Sequence, residues 1–94
     1  MVPYEVTYII DSSLSEEVIP RVVERYSEYV NKNGGQIVNI DNWGKRRLAF
    51  EVKGKLEGVY ITMRFNSTIK VSQEMRRVMG IDEELVRSMI VRVN

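Results

Sequence analysis

The sequence contains no cysteine and no histidine among its 94 residues. Without cysteine the chain forms no disulfide and offers no thiolate to a metal, which fits a reducing compartment. Without histidine it lacks the commonest general base and the commonest metal ligand, which lowers the expectation of catalysis. The remaining side chains do not supply a nucleophile, a base and an orienting group. We therefore predict no enzyme activity, no metal site and no cofactor.

Long apolar runs are also missing. Apolar residues make up 44% of the chain, but their runs are only a few residues long, too short to cross a membrane. Residues 1–5 lack the basic and apolar regions of a signal peptide. The length predicts a single domain, residues 1–94, with one modest core. We expect neither a membrane partner nor a small-molecule substrate.

The net charge is small, but its distribution along the chain is uneven. The 14 basic and 13 acidic residues leave a net charge of +1. Residues 1–41 hold seven acidic and three basic residues, whereas residues 42–55 hold five basic residues and one acidic residue. Such a local cluster on a nearly neutral chain predicts a defined anionic contact rather than general polyanion binding.

Alternating apolar residues predict four strands. The second strand is expected to run through Trp43 and Gly44, where the glycine permits a bulge or a bend. Residues 53–58 then predict a hairpin loop. The last strand has apolar residues at both its odd and its even positions, so the sequence does not decide which of its two faces is buried. The four predicted strands cover residues 4–10, 36–52, 59–65 and 85–93.

One face of the first two strands is expected to lie in the core. The second strand should place Leu48, Phe50 and Val52 there, in phase with Val38 and Ile40, because a strand repeats every two residues. The residues of the first strand on its expected core face are Tyr4, Val6, Tyr8 and Ile10.

Two helices are predicted between these strands. The first has Ser15 as its expected N-cap, with Ser13 as the rival start. From Ser15, Pro20 falls just past the first turn and is expected either to kink the helix slightly or to loosen its first turn. Gly34 should end this helix in the left-handed conformation. The second helix follows the capping residues 66–68 and is expected to close at a left-handed Gly80, with Ile81 making the hydrophobic contact of a Schellman cap.

The predicted order is strand, helix, strand, strand, helix, strand. This is the ferredoxin-like βαββαβ plan of the α+β class, a four-stranded antiparallel sheet with two helices on one face. Right-handed crossovers place the first and third strands in the middle, so the second strand lies on an edge. The acidic turn 82–84 is expected to be solvated rather than to hold a metal.

The basic stretch on the predicted edge strand has two compatible interpretations. Charges on an edge deter sheet-to-sheet aggregation, and a charged edge can still admit a specific partner. Arginine offers a planar fork of donors to phosphate, and Trp43 offers stacking area. The cations that would contact phosphate or a protein partner are Lys45, Arg46, Arg47, Lys53 and Lys55.

An RNA-recognition motif shares this topology and stacks bases on its central strands. Segment 58–65 matches the signature of that module poorly. The open face of the sheet would be a thin stacking platform. It would show Glu5, Thr7, Tyr60, Thr62 and Arg64.

The segment Trp43-Gly44-Lys45-Arg46-Arg47-Leu48-Ala49-Phe50 resembles the signature of the bacterial small-ribosomal-subunit protein six family. That family, a ribosomal protein of the 30S central domain, typically shows Trp-Gly, an arginine or two, and then Leu-Ala-Tyr. Further matches at 4–5, 14–17, 34–35 and 81–87 extend the resemblance over nearly the whole chain.

The resemblance implies a structural protein of the cytoplasmic ribosome. Its members bind the central domain of small-subunit rRNA as a heterodimer with ribosomal protein eighteen. By position, the residues of the protein-partner edge are Trp43, Gly44, Arg46 and Arg47. The candidates for rRNA contact are Lys45, Lys53, Lys55, Arg87 and Arg92.

The sequence departs from the family pattern at three places. Val2-Pro3 stands where a basic residue is usual, Phe50 replaces a tyrosine, and Glu51 replaces a common proline, so the edge keeps an N–H donor. Many members also carry a charged tail after the last strand, whereas this sequence ends at Asn94. The rival interpretation is a ferredoxin-like module that oligomerises or senses a ligand without binding RNA. It predicts a stable homodimer.

Overall fold

Six elements follow one another in the order expected from the sequence. The computed structural model describes residues 1–93. Its sheet has the order β2-β3-β1-β4 with every neighbouring pair antiparallel, which confirms the ferredoxin-like plan and the edge position of β2. The elements are β1 (Val2–Asp11), α1 (Val18–Lys32), β2 (Gln36–Val52), β3 (Lys55–Ser67), α2 (Ile69–Gly80) and β4 (Leu85–Arg92).

The main core lies between the sheet and the two helices. Tyr8 of β1 is fully buried, and its ring centroid lies 5.7 Å from that of Tyr26 on α1. We call this side of the sheet the covered face and the opposite side the open face. The expected core residues of β1 are all buried on the covered face, with helix residues packed against them: Tyr4, Val6, Tyr8, Ile10, Val22, Tyr26, Val30, Met75 and Met79.

Helix α1 begins later than predicted. Glu17 occupies the N-cap without a side-chain capping bond, and the Ser15 hydroxyl only accepts a 3.4 Å bond from the Glu17 amide outside the helix. The expected N-cap at Ser15 is therefore wrong. Pro20 becomes the third helical residue, where its missing N–H would have no intrahelical partner in any case. The physical reason for a kink at Pro20 is thereby removed.

The end of α1 is as predicted. Gly34 has φ of +81°, and its amide donates to Asn31 at 3.3 Å, while the Gly35 amide donates to Val30 at 2.9 Å. These two bonds are the Schellman pattern, which satisfies the last free carbonyls of the helix.

Helix α2 is capped as predicted at its start but not at its end. The Thr68 hydroxyl accepts a 3.3 Å bond from the Val71 amide. Gly80 is the last helical residue, and Ile81 follows as the C-cap with an ordinary negative φ. Ile81 is exposed, so the expected hydrophobic contact after a left-handed glycine is absent here.

The β2–β3 hairpin has a shorter turn than predicted, and its second strand begins earlier. Lys53 and Gly54 have φ of +52° and +76°, and Val52 pairs with Lys55 across them. Two successive positive φ values are typical of a type I′ turn, whose twist matches that of the strands. The expected loop over 53–58 is therefore wrong, because β3 already begins at Lys55.

A bulge at Trp43 changes the phase of β2. Asn42 pairs with Ile61 and Gly44 with Tyr60, so Trp43 is an extra residue, and Gly44 adopts φ of +79°. The predicted bulge is confirmed. An extra residue moves the side chains after it to the opposite face, so Leu48 is no longer in phase with Ile40. The register of β2 against β3 also shifts between Ile37 and Asn39 and again between Arg47 and Val52.

The expected core position of the second half of β2 is therefore wrong. Leu48 is buried, but in a small cluster on the open face with Ile9 and Val86. Val52 is partly buried against the same cluster. Phe50 is 64% exposed. The end of the hairpin thus curls over the open face and leaves one aromatic ring in solvent.

The turn before β4 is not simply solvated. Asp82 accepts hydrogen bonds from the Tyr26 hydroxyl and from Arg25. Glu84 accepts bonds from Arg25 and from Arg21, at 3.0 and 2.7 Å. These charged side chains tie α1 to the segment between α2 and β4.

Candidate protein and nucleic-acid interface

The candidate partner edge lies at the Trp43 bulge. The Trp43 indole N–H donates to the Thr62 hydroxyl at 2.9 Å, which holds the ring over the open face. The Arg46 Nε donates to the Trp43 carbonyl at 3.1 Å. Trp43, Arg46, Tyr60 and Thr62 line a recess of about 310 Å³, which we call the aromatic recess. Trp43 is 55% exposed, so this recess is open to a partner.

The basic residues after the bulge alternate between the two faces. Arg46 pairs with Gly58 on the open face, while Lys45 pairs with Val59 on the covered face. Arg47 follows Lys45 by two residues and shares its face. The structure therefore brings Trp43, Gly44 and Arg46 together and turns Arg47 away from them.

Two of the candidate rRNA contacts converge at the end of the hairpin. Lys53 and Arg87 line one cleft of about 530 Å³, together with Phe50. We call this the hairpin cleft. Lys53 also lines an adjoining smaller cleft with Lys55. Arg92 lies five residues farther along β4 and pairs with Tyr4, so it is not part of this group.

Two candidate lysines are already engaged by acidic side chains. Lys45 lies 3.6 Å from Glu57, with both side chains largely exposed. Lys55 lies 3.2 Å from Asp11. Burial by itself raises the pKa of Asp11, but hydrogen bonds from Ser13 and Lys55 outweigh it and hold that pKa below its usual value. The charge of Lys55 is thus partly neutralised within the fold.

The surroundings of Tyr60 and Phe50 depend on where the register of β2 shifts. Tyr60 was placed correctly on the open face, but its pairing opposite Gly44 and its place beside Trp43 depend on the bulge. Alternation alone places Phe50 in the core, because it counts neither the shift at Gly44 nor the second register shift between Arg47 and Val52. A glycine beside a tryptophan in a long alternating strand is the sequence signal for the first of these shifts.

No group of three or more acidic side chains within residues 1–93 is arranged to hold a metal ion. In the same residues, neither helix is both long enough and apolar enough to span a bilayer.

Comparisons with known proteins agree with this architecture. A family model described as Ribosomal protein S6 matches residues 3–92. The small ribosomal subunit protein bS6 of Thermoanaerobacter pseudethanolicus is 45% identical over 91 residues, which cover 97% of this chain and 96% of that protein. The bS6 of Desulfitobacterium hafniense is 47% identical over 87 residues, covering 93% and 92%. The crystal structure of 30S ribosomal protein S6 from Thermotoga maritima has a TM-score of 0.91 at 27% identity, covering 98% of this chain and 87% of that one.

Proposed function

The chain belongs to the ribosomal protein S6 family, and from this premise we propose that it binds the central domain of small-subunit rRNA as a heterodimer with ribosomal protein eighteen. As a small ribosomal subunit protein it has a structural role and lies in the cytoplasm, within the ribosome. We also propose that this role involves no catalysis.

The observation that supports a protein partner is the combination of an open strand edge and exposed anchor residues. Strand β2 pairs only with β3 among the described residues, so its outer edge is available. Beside that edge the aromatic recess presents Trp43, Tyr60 and Arg46. Tryptophan, tyrosine and arginine are the residue types that most often dominate the energy of protein interfaces. The partner edge of Trp43, Gly44, Arg46 and Arg47 is therefore our proposed docking surface.

The observation that supports rRNA binding is the group of cations at the end of the hairpin. Lys53 and Arg87 share the hairpin cleft, and Lys55 lies beside it. Cations gathered on a surface attract phosphate by a sequence-independent attraction that weakens with salt. The hairpin end and the aromatic recess lie at different places on the hairpin. One molecule can therefore contact a protein and rRNA at once.

Co-assembly with ribosomal protein eighteen on a central-domain rRNA fragment tests this proposal. Arg46→Ala/Arg47→Ala should weaken co-assembly at least about tenfold, because Arg46 lines the aromatic recess and Arg47 lies on the other face of the same strand edge. Lys32→Ala/Lys70→Ala is the matched control, since it removes two exposed cations from the helices. Equal co-assembly by the wild type and the Arg46/Arg47 variant would contradict the assignment. A stable homodimer without affinity for rRNA would favour the oligomerising module.

A further inference from the structure

The hairpin cleft combines features that the proposed rRNA contact does not by itself require. The end of the hairpin curls over the open face because Leu48 and Val52 pack against Ile9 and Val86. This packing carries Phe50 and the turn at Lys53 toward the start of β4 and the end of α2. A cleft of about 530 Å³ is formed between them.

One wall of the cleft is an aromatic ring that the fold does not bury. Phe50 is 64% exposed, although a phenylalanine gains stability mainly by leaving water. Its side chain has no polar atom that would explain its position by a hydrogen bond. An exposed ring in a concave site suits a flat apolar surface that stacks on it.

The cations of the cleft are not neutralised by the fold. Within residues 1–93, neither Lys53 nor Arg87 forms an ion pair. Glu51 is the one acidic residue lining the cleft, so the charge of its lining is positive. An anionic ligand is therefore favoured over a cationic or neutral one.

Lys53 occupies a backbone position that suits another residue better. Its φ of +52° lies in the left-handed region, where asparagine and glycine are preferred for the first central position of a type I′ turn. A lysine there costs about 1 kcal/mol relative to the usual β or α conformations. A locally unfavourable residue that supplies charge to a cleft is the kind of conflict expected at a functional position.

We infer that the hairpin cleft binds one unpaired nucleotide of the rRNA, with the base stacked on Phe50 and its phosphate contacted by Lys53 and Arg87. This inference rests on the proposed function. The nucleotide must be unpaired because a base within a duplex does not offer its face to a side chain, whereas a splayed base stacks on aromatic residues. An aromatic ring beside cations fits a nucleotide, because the ring can stack on the base and the cations can contact the phosphate.

The test measures binding of the protein, together with ribosomal protein eighteen, to a central-domain rRNA fragment at several salt concentrations. Phe50→Ala should weaken binding about tenfold, within the range for loss of one base stack. Phe50→Tyr should bind like the wild type because it keeps the ring, and Phe50→Leu should not. The salt slope should be unchanged in these variants, but smaller by about one in Lys53→Gln and in Arg87→Gln.

Ile81→Ala is the control for removing an exposed apolar side chain, because Ile81 is 71% exposed and lies outside the cleft. If Phe50→Ala binds rRNA as tightly as the wild type, the nucleotide site is wrong while the proposed function stands. If Phe50→Ala weakens binding of ribosomal protein eighteen in the absence of rRNA, the ring is a protein contact and the site is also wrong. If the wild type binds no rRNA, the proposed function itself fails.

Discussion

Two pairs of arginines in this molecule have opposite surroundings. Arg21 and Arg25 on α1 are held by acidic side chains, with Arg25 2.6 Å from Asp82 and 3.0 Å from Glu84. Within residues 1–93, Arg46 and Arg47 on β2 form no ion pair. The arginines of α1 therefore connect two parts of the fold, whereas the arginines of β2 remain available to another molecule.

The ion pairs of Arg25 matter for stability because their acceptor Asp82 is largely buried. Asp82 is only 12% exposed and also accepts the hydrogen bond of the Tyr26 hydroxyl. Burial and this hydrogen bond raise the pKa of Tyr26 well above its usual value, so the phenol keeps its proton. Exposed ion pairs contribute little to stability, but a shared and largely buried acceptor is costly to remove.

Removing that acceptor should have the largest effect on stability. Asp82→Ala leaves the Tyr26 hydroxyl without its acceptor and leaves Arg25 with Glu84 alone, so it should lower the free energy of unfolding by about 2 kcal/mol. Urea denaturation followed by circular dichroism measures this change. Glu83→Ala is the control on the neighbouring, exposed residue and should change stability by less than about 0.5 kcal/mol. Equal effects in both variants would mean that the turn is merely solvated.

A substitution in the turn of the hairpin should instead raise the free energy of unfolding. Lys53→Asn places a residue that tolerates the left-handed conformation before Gly54 and should stabilise the protein by about 0.5 kcal/mol. The same variant should bind rRNA more weakly, because it removes a charge from the hairpin cleft. Thermal unfolding and rRNA binding measured on one preparation test both effects. A gain in stability with unchanged rRNA binding would show that Lys53 is not a contact.

Lys55 is a candidate rRNA contact, but within the fold it is also paired with Asp11. The lowered pKa of Asp11 contributes stability that is present above the ordinary value of 3.8 and is lost as pH falls through the lower folded value. Asp11→Asn should therefore show a smaller loss of stability below about pH 4 than the wild type. Urea denaturation between pH 2 and about pH 6 measures the difference. The same loss of stability below about pH 4 in both proteins would show that the Asp11 contacts add no stability.

The arrangement of elements followed from alternation and chain order. The period of two in residues 4–10 identified the buried face of β1, and the crossover rule placed β2 on an edge. These features depend on local patterns and on the handedness of connections, so a sequence contains them. The protein-partner and rRNA assignments to individual residues stay predictions.

The errors concern features that depend on single backbone conformations or on distant contacts. The extra residue at Trp43 moves Leu48 off the covered face, although alternation alone places it in the core. The exposed Phe50 lies in a second register shift, between Arg47 and Val52. The pairing of Arg25 with Asp82 joins residues 57 positions apart, and no local pattern indicates it. The short turn was missed because Lys53 is an unusual residue at a positive φ.

We infer that the arginines of α1 stabilise the fold and that the arginines of β2 bind the partner. The direct test compares Arg21→Ala/Arg25→Ala with Arg46→Ala/Arg47→Ala, measuring the free energy of unfolding and the affinity for ribosomal protein eighteen on the rRNA fragment. The first variant should lose about 1 to 2 kcal/mol of stability and, while folded, bind as the wild type does. The second should keep its stability within about 0.5 kcal/mol and lose affinity. Loss of stability in the second variant, or loss of affinity in the first at temperatures where it is folded, would contradict this account.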